Sequence, residues 1–274
     1  MKIAISNIAW QIEEEPAIAN LLQQLNIKGV EIAPTKIWQN PLTATDAEIK
    51  NYREFWQGYG IEIVAMQALL FGRNDLTIFE SKEKRQATLS YLDKIIELGN
   101  KLGVNVLVFG SPKNRTIGDL PEAEVQKIAQ DFFYALGEIA VENQVNFCIE
   151  PNPPAYNCDF IINSQQGLEL VKQTNSQGFR LHLDAAGMTL GEEDLVTSLS
   201  KALPYLCHFH ISEPFLGQVG DGKVDHETLG KTLKALNYQG WTSIEMRSQS
   251  TESNLDSVRK ALLIAQQWYL KPAF

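Results

Sequence analysis

The sequence predicts a single (β/α)8 barrel, and three observations carry that prediction. Short apolar runs alternate with stretches of helical periodicity eight times along 274 residues. No composition shift, low-complexity linker or interrupting segment divides them, so residues 1–274 are expected to form one domain. No GxGxxG or phosphate-binding loop follows any run, which disfavours an open doubly wound sheet. Strands that alternate with helices must run parallel through right-handed crossovers, and eight such units in this length suit a closed barrel.

The elements follow in order. Ile3-Ala4-Ile5 is a strand, and Pro16 to Leu25 carries Ile18, Leu21, Leu22 and Leu25 at helical spacing. Gly29 to Ala33 is the second strand, closed by Pro34, and Ala47 to Tyr59 is helical with Ile49, Tyr52 and Phe55 on one side. Ile61 to Met66 is the third strand. Lys82 to Leu102 is a helix striped by Leu89, Leu92 and Ile96, with Gly103 as its stop. Val104 to Phe109 is the fourth strand, broken by Gly110-Ser111-Pro112, and Pro121 opens a long helix through Val125, Phe132 and Ile139. The fifth strand ends at Glu150, and a helix follows through Leu168 and Val171. Phe179 to Asp184 is a strand, Glu192 to Leu203 a helix, Tyr205 to Ile211 a strand and Thr228 to Leu236 a helix. Trp241 to Glu245 is the eighth strand, and the last helix carries Leu255, Val258, Leu262 and Ala265.

Bulk properties narrow the function. A hydrophobic content of 44% with 21% charged residues describes an ordinary globular chain. A net charge of -9 argues against a nucleic-acid partner. The run from Met1 to Ser6 is too short for a signal peptide and no later run approaches a membrane span, so a cytoplasmic location without a membrane partner is expected. Cys148, Cys158 and Cys207 lack CxxC spacing and imply neither a disulfide framework nor a zinc knuckle.

Four strand ends carry the chemistry. Phe147-Cys148-Ile149-Glu150, Leu181-His182-Leu183-Asp184, Cys207-His208-Phe209-His210 and Thr242-Ser243-Ile244-Glu245 each finish a buried-strand pattern on a metal-ligating side chain. In a barrel those ends converge at the C-terminal face, where such folds place their active sites. A strand-terminal Glu alone is as readily a salt-bridge partner, and a lone His is more often satisfied by hydrogen bonds. Together, the three carboxylates would repel one another in a low-dielectric mouth, so their convergence with an imidazole calls for a cation. Three oxygen donors and one nitrogen suit one divalent ion, Mn²⁺ first, with Mg²⁺, Co²⁺ and Zn²⁺ also accommodated. Alternation along the strands puts His182 and His208 beneath this set and turns Cys148 toward the pocket floor.

These motifs, with Ile149-Glu150-Pro151-Asn152, His208-Phe209-His210-Ile211-Ser212-Glu213 and Gly29-Val30-Glu31-Ile32, resemble the xylose isomerase-like TIM-barrel superfamily along the whole chain. That superfamily includes sugar and sugar-phosphate isomerases, ketose 3-epimerases, hydroxypyruvate isomerase and inosose dehydratase. The resemblance implies that Glu150, Asp184, His210 and Glu245 bind one divalent metal. It also implies that Glu150 and Glu245 flank a carbohydrate and move protons as acid and base. Chemistry agrees: a proton leaves a carbon beside a carbonyl, an enediolate forms, and reprotonation isomerises or epimerises. An inosose dehydratase-like lyase and a non-catalytic sugar-binding barrel are the alternatives. Ketose 3-epimerases usually carry a His three residues after the metal-binding Asp and an Arg soon after the metal-binding His. Here those places hold Gly187 and Phe215-Leu216-Gly217, while Gly220-Asp221-Gly222 with Val224-Asp225 is similar to the hydroxypyruvate isomerase and inosose dehydratase branches. An apurinic-site endonuclease of the same fold would need many more histidines than four.

Basic residues near strand ends are the candidates for holding the substrate, which could be anionic. Lys113, Arg115 and Arg247 are favoured for this over Arg73 and Lys223, which read as solvated loop charges, and Asn152 joins them as a substrate contact. Trp10, Trp38 and Phe215 could wall the pocket or simply pack. His226 is expected to start a helix. Pockets in such barrels are often completed by a neighbouring subunit, which leaves a homo-oligomer open.

Overall fold

Eight parallel strands close on themselves in chain order in a computed structural model that describes residues 1–248 and 253–270. They are β1 (Lys2–Ser6), β2 (Gly29–Ile32), β3 (Glu62–Met66), β4 (Val106–Phe109), β5 (Asn146–Ile149), β6 (Phe179–Asp184), β7 (Leu206–Ser212) and β8 (Trp241–Glu245). The seam pairs β1 with β8, from Lys2 opposite Trp241 to Ile5 opposite Ile244. Around them run α1 (Glu15–Gln24), α2 (Asp46–Gly58), α3 (Lys82–Leu102), α4 (Glu122–Glu142), α5 (Ser164–Thr174), α6 (Ala185–Leu190), α7 (Leu195–Ala202), α8 (His226–Ala235) and α9 (Asn254–Ala265).

Local chemistry explains most boundaries. Thr45 and Glu48 form a reciprocal capping box at the start of α2, and Ser81 caps α3 through the N–H of Lys84. Gly103 ends α3 in the left-handed conformation, at φ 79°, where a side chain would be strained. The predicted eighth-strand, sixth-strand and Lys82–Leu102 boundaries coincide with the observed ones. The sixth unit differs. The segment expected as one helix from Glu192 begins at Leu195, capped by Asp194, and a separate short α6 grows directly from the end of β6. A further turn of π-helix, Gln266–Leu270, extends α9.

Two apolar regions hold the barrel. The larger fills the sheath between strands and helices, with Leu107, Phe109, Phe147, Ile149, Leu181, Phe209 and Ile244 facing outward from the sheet. The smaller lies inside the barrel and consists of Ala4, Val64, Ala65, Val106, Val108 and Cys148. Buried polar side chains, among them Glu31, His182, His208 and His210, take the other interior positions. Strand register slips at two points, leaving Val64 and Cys207 as extra residues on β3 and β7. Beyond the second slip, His208, His210 and Ser212 stand opposite Trp241, Ser243 and Glu245.

Phe133 of α4 is the hub of the outer sheath. It is fully buried, stacks on Phe179 at 4.8 Å, and meets Phe132 edge-on at 5.3 Å and Phe109 at 6.0 Å. Phe133→Ala is expected to cost about 3–5 kcal/mol in urea unfolding, as for other large-to-small core changes. A loss below about 1 kcal/mol would mean that the sheath closes over the gap.

Candidate metal centre

Glu150, Asp184, His210 and Glu245 each offer a ligand atom, and these atoms all lie within 4.8 Å of one another. The strands deliver them. Asp184 and Glu245 are the last residues of β6 and β8, His210 lies near the end of β7, and Glu150 follows β5 directly. Nearby groups fix each one. The N–H of Glu150 donates to the carbonyl of Phe109 at 3.1 Å, and its own carbonyl accepts from Arg115 Nη2 at 2.8 Å and Asn152 Nδ2 at 3.1 Å. Asp184 caps α6, accepting the N–H of Gly187 at Oδ1 and the hydroxyl of Ser212 at Oδ2. Ser212 in turn accepts the N–H of Ala186 at 3.0 Å. His210 Nδ1 lies 3.4 Å from Glu245 and 3.9 Å from Glu150, is buried, and makes no hydrogen bond.

That donor set fits a divalent cation. An unpartnered imidazole nitrogen aimed at three carboxylates is the arrangement such an ion would complete. Electrostatics agree. Burial, then the neighbouring charge of Glu245, pushes the Glu150 carboxyl up to about 8. The same two causes raise Asp184 to about 6. Burial opposes a charge on His210, but Glu31 and then Glu245 outweigh it and hold the imidazole well above its ordinary value.

Beneath this set lie groups that the sequence only partly revealed. His182 and His208 are fully buried where alternation placed them; His182 Nε2 lies 3.7 Å from Glu150. Glu31 of β2, also fully buried, sits 3.1 Å from His210 Nε2 and 3.5 Å from His208 Nε2. In the sequence it stood out only as part of a strand motif. Its interior position on a four-residue strand with no other charged residue was the available signal.

A cavity of about 510 Å³ opens above the cluster, walled by Asn152, Ala155, Tyr156, Ala186, Glu213, Phe215, Leu216 and Arg247 among others. Three loops are laced together there. The N–H of Phe215 donates to the Tyr156 hydroxyl at 3.2 Å, the two rings meet edge-on at 5.4 Å, and the N–H of Arg247 donates to the carbonyl of Leu216 at 3.1 Å. Phe215 and Leu216 are both left-handed, at φ 60° and 59°, an uncommon backbone for such side chains. Two candidate substrate contacts lie elsewhere. Lys113 lines a separate cavity with Phe79, Glu80 and Asp119, and Arg115 is buried behind Glu150, reaching Cys158 Sγ at 3.4 Å. Trp10 is fully buried against Trp56, and Cys148 belongs to the small apolar cluster inside the barrel.

The fold and the cluster define a parallel barrel with a carboxylate-rich pocket at the C-terminal ends of its strands. The chain belongs to the xylose isomerase-like TIM-barrel family, whose sequence profile matches residues 19–268. It is 24% identical over 254 residues to a probable ketose 3-epimerase of Synechocystis, covering 89% of this chain and 84% of that one. Among solved structures it resembles a D-psicose 3-epimerase determined with D-fructose, with a TM-score of 0.82 and 18% identity over 98% of this chain and 99% of the other. It also resembles an Escherichia coli 3-keto-D-glucoside 4-epimerase, with a TM-score of 0.81 and 19% identity over 97% and 99%.

Two outcomes test the site. A Cβ at Gly110 would collide with Glu150 Oε2, so Gly110→Ala is expected to displace that carboxylate and weaken Mn²⁺ binding by roughly tenfold or more while the chain stays folded. Unchanged affinity by calorimetry would show that Glu150 yields without leaving the site. Raised carboxyl values also give metal-free protein a characteristic pH response. The neutral forms of Glu150 and Asp184 stabilise the fold at low pH, and that contribution is lost as pH rises through about 6 and then about 8. His210 acts in the same direction. His182, held neutral mainly by burial, acts oppositely but only as pH falls below the ordinary imidazole range. Chelator-treated protein should therefore melt at a lower temperature at about pH 9 than at about pH 7, with Mn²⁺ removing most of the difference. A melting temperature that rises over this interval would contradict it.

Proposed function

We propose that this isomerase-class enzyme is a divalent-metal-dependent sugar epimerase that inverts a carbon beside a ketose carbonyl. The observation that carries the reading is the convergence of Glu150, Asp184, His210 and Glu245 within 4.8 Å beneath a cavity of about 510 Å³. Its similarity to the epimerases described above supports the same reading, although Gly187 and Phe215-Leu216-Gly217 depart from the usual ketose 3-epimerase pattern. Those four residues would hold the ion. When bound, it would polarise the ketose carbonyl and neighbouring hydroxyl and stabilise the charge that develops as the proton leaves.

The remaining work falls to the chain. Glu150 and Glu245 stand on β5 and β8, three strands apart around the ring, and approach a sugar from two sides. One carboxylate takes the proton from the carbon beside the carbonyl, leaving an enediolate. The other returns a proton to the same carbon from the opposite face, which inverts its configuration. Tyr156, Phe215 and Leu216 shield the reacting carbons from water, and Asn152 and Arg247 meet hydroxyls farther from the ion. Arg247 is the one cation among the described lining residues, and it shares the wall with Glu213 and Glu245. That balance suits a neutral sugar better than a phosphorylated one.

Deuterium incorporation decides the matter. With Mn²⁺ in D₂O, the protein is expected to place deuterium at C3 of a free ketose such as D-fructose, D-tagatose or L-ribulose, with formation of the 3-epimer. Glu150→Gln and Glu245→Gln should each slow exchange by about 10²–10⁴-fold. Label at C1 alone would identify an aldose–ketose isomerase instead. No exchange into any ketose by metal-loaded protein would overturn the reading.

A further inference from the structure

We propose that Glu31 is a positioning residue for His210, accepting a hydrogen bond from its Nε2–H and thereby leaving Nδ1 as the atom that faces the ion. The inference rests on the metal reading above and assigns a role to a residue outside the ligand set.

Glu31 is a carboxylate inside the barrel, fully buried, with the imidazoles of His208 and His210 beside it. Both of its oxygens reach His210 Nε2, at 3.2 and 3.1 Å. An ionised carboxylate in that place accepts a hydrogen bond and has no hydrogen to donate, so the ring carries hydrogen at Nε2. In the neutral ring that binds an ion the lone pair then lies on Nδ1, which is buried 3.4 Å from Glu245 and 3.9 Å from Glu150. Negative charge behind the ring also strengthens the nitrogen in front of it as a donor.

Neighbouring imidazoles lock this orientation. His182 meets the His210 ring edge-on with centroids 4.1 Å apart, and His208 does so at 5.4 Å while also leaning on Glu31. Flipping the His210 ring would put carbon atoms where its nitrogens stand and break the contact with Glu31, and the other tautomer would place a bare Nε2 lone pair against a carboxylate. Glu31, His208 and His210 are themselves close enough to hold an ion, so a second metal in that position is the competing account of the same geometry.

Mn²⁺ titration of chelator-treated full-length chain, read by the paramagnetic resonance of free ion, separates these accounts. Parent protein should bind one ion, and Glu31→Gln should bind it about 10–100-fold more weakly. A purely structural Glu31 would lower the melting temperature of the metal-free chain without moving that affinity, so a variant that binds as tightly as the parent overturns the inference and leaves the metal site standing. Two ions in the parent, with one lost in Glu31→Gln, would overturn it by making Glu31 a ligand. No binding by the parent would overturn the metal reading itself. Should the variant fail to fold, the ¹⁵N-histidine spectrum of the Mg²⁺-loaded parent answers directly. Hydrogen on Nε2 of His210 is the expected result, and hydrogen on Nδ1 refutes it.

Discussion

Repulsion among carboxylates is the constraint around which this barrel is built. Glu150, Asp184 and Glu245 are brought together at the ends of three strands, and their partial burial weakens the screening of their charge by water. Hydrogen bonds from Gly187, Ser212 and Arg115 hold their positions, but the first two only support Asp184, and Arg115 reaches the carbonyl of Glu150. The carboxyls of Glu150 and Asp184 are thereby pushed upward, and a single dication held among them would relieve the conflict.

The interior beneath it serves the same end. A barrel of eight strands has room for side chains rather than solvent, so whatever lies below the ligands must pack as well as direct them. Small apolar residues fill part of that space, and the rest is given to Glu31 and three imidazoles. The register slip at Cys207 belongs to this arrangement, because beyond it His208 and His210 share the inward face with Ser212, which stands opposite Glu245 at the functional end of β8. Gly110 completes it by leaving open the volume into which Glu150 turns.

Much of this was legible in the residues alone. Each strand announced itself as a short apolar run, and all four candidate ligand positions were visible as polar side chains at the end of such a run. Period-two alternation correctly put His182 and His208 inside. Glu31 was harder, since its partner His210 lies 179 residues away and nothing local distinguishes an inward-facing Glu from an exposed one. Arg115 misled for the opposite reason: a loop arginine ordinarily meets solvent, and its burial against the Glu150 carbonyl and Cys158 depends on how the loop after β5 folds back. The short α6 went unread because Asp184, which starts it, already had a role as a strand end. Lys113 shows that two residues of sequence distance are enough to carry a side chain around a corner into a different cavity.

The lacing of Tyr156, Phe215, Leu216 and Arg247 bears on how such a protein can be re-engineered. Loops on barrels are commonly treated as exchangeable cassettes, each grafted from one scaffold to another without regard to its neighbours. Here the segment after β7 donates a main-chain N–H to the Tyr156 hydroxyl after β5 and accepts one from Arg247 after β8, so its left-handed backbone is tied at both sides. Transplanting any one of them removes an anchor from the next. A change of sugar preference is thus a three-loop problem, to be solved by coordinated replacement rather than by single substitutions in the wall.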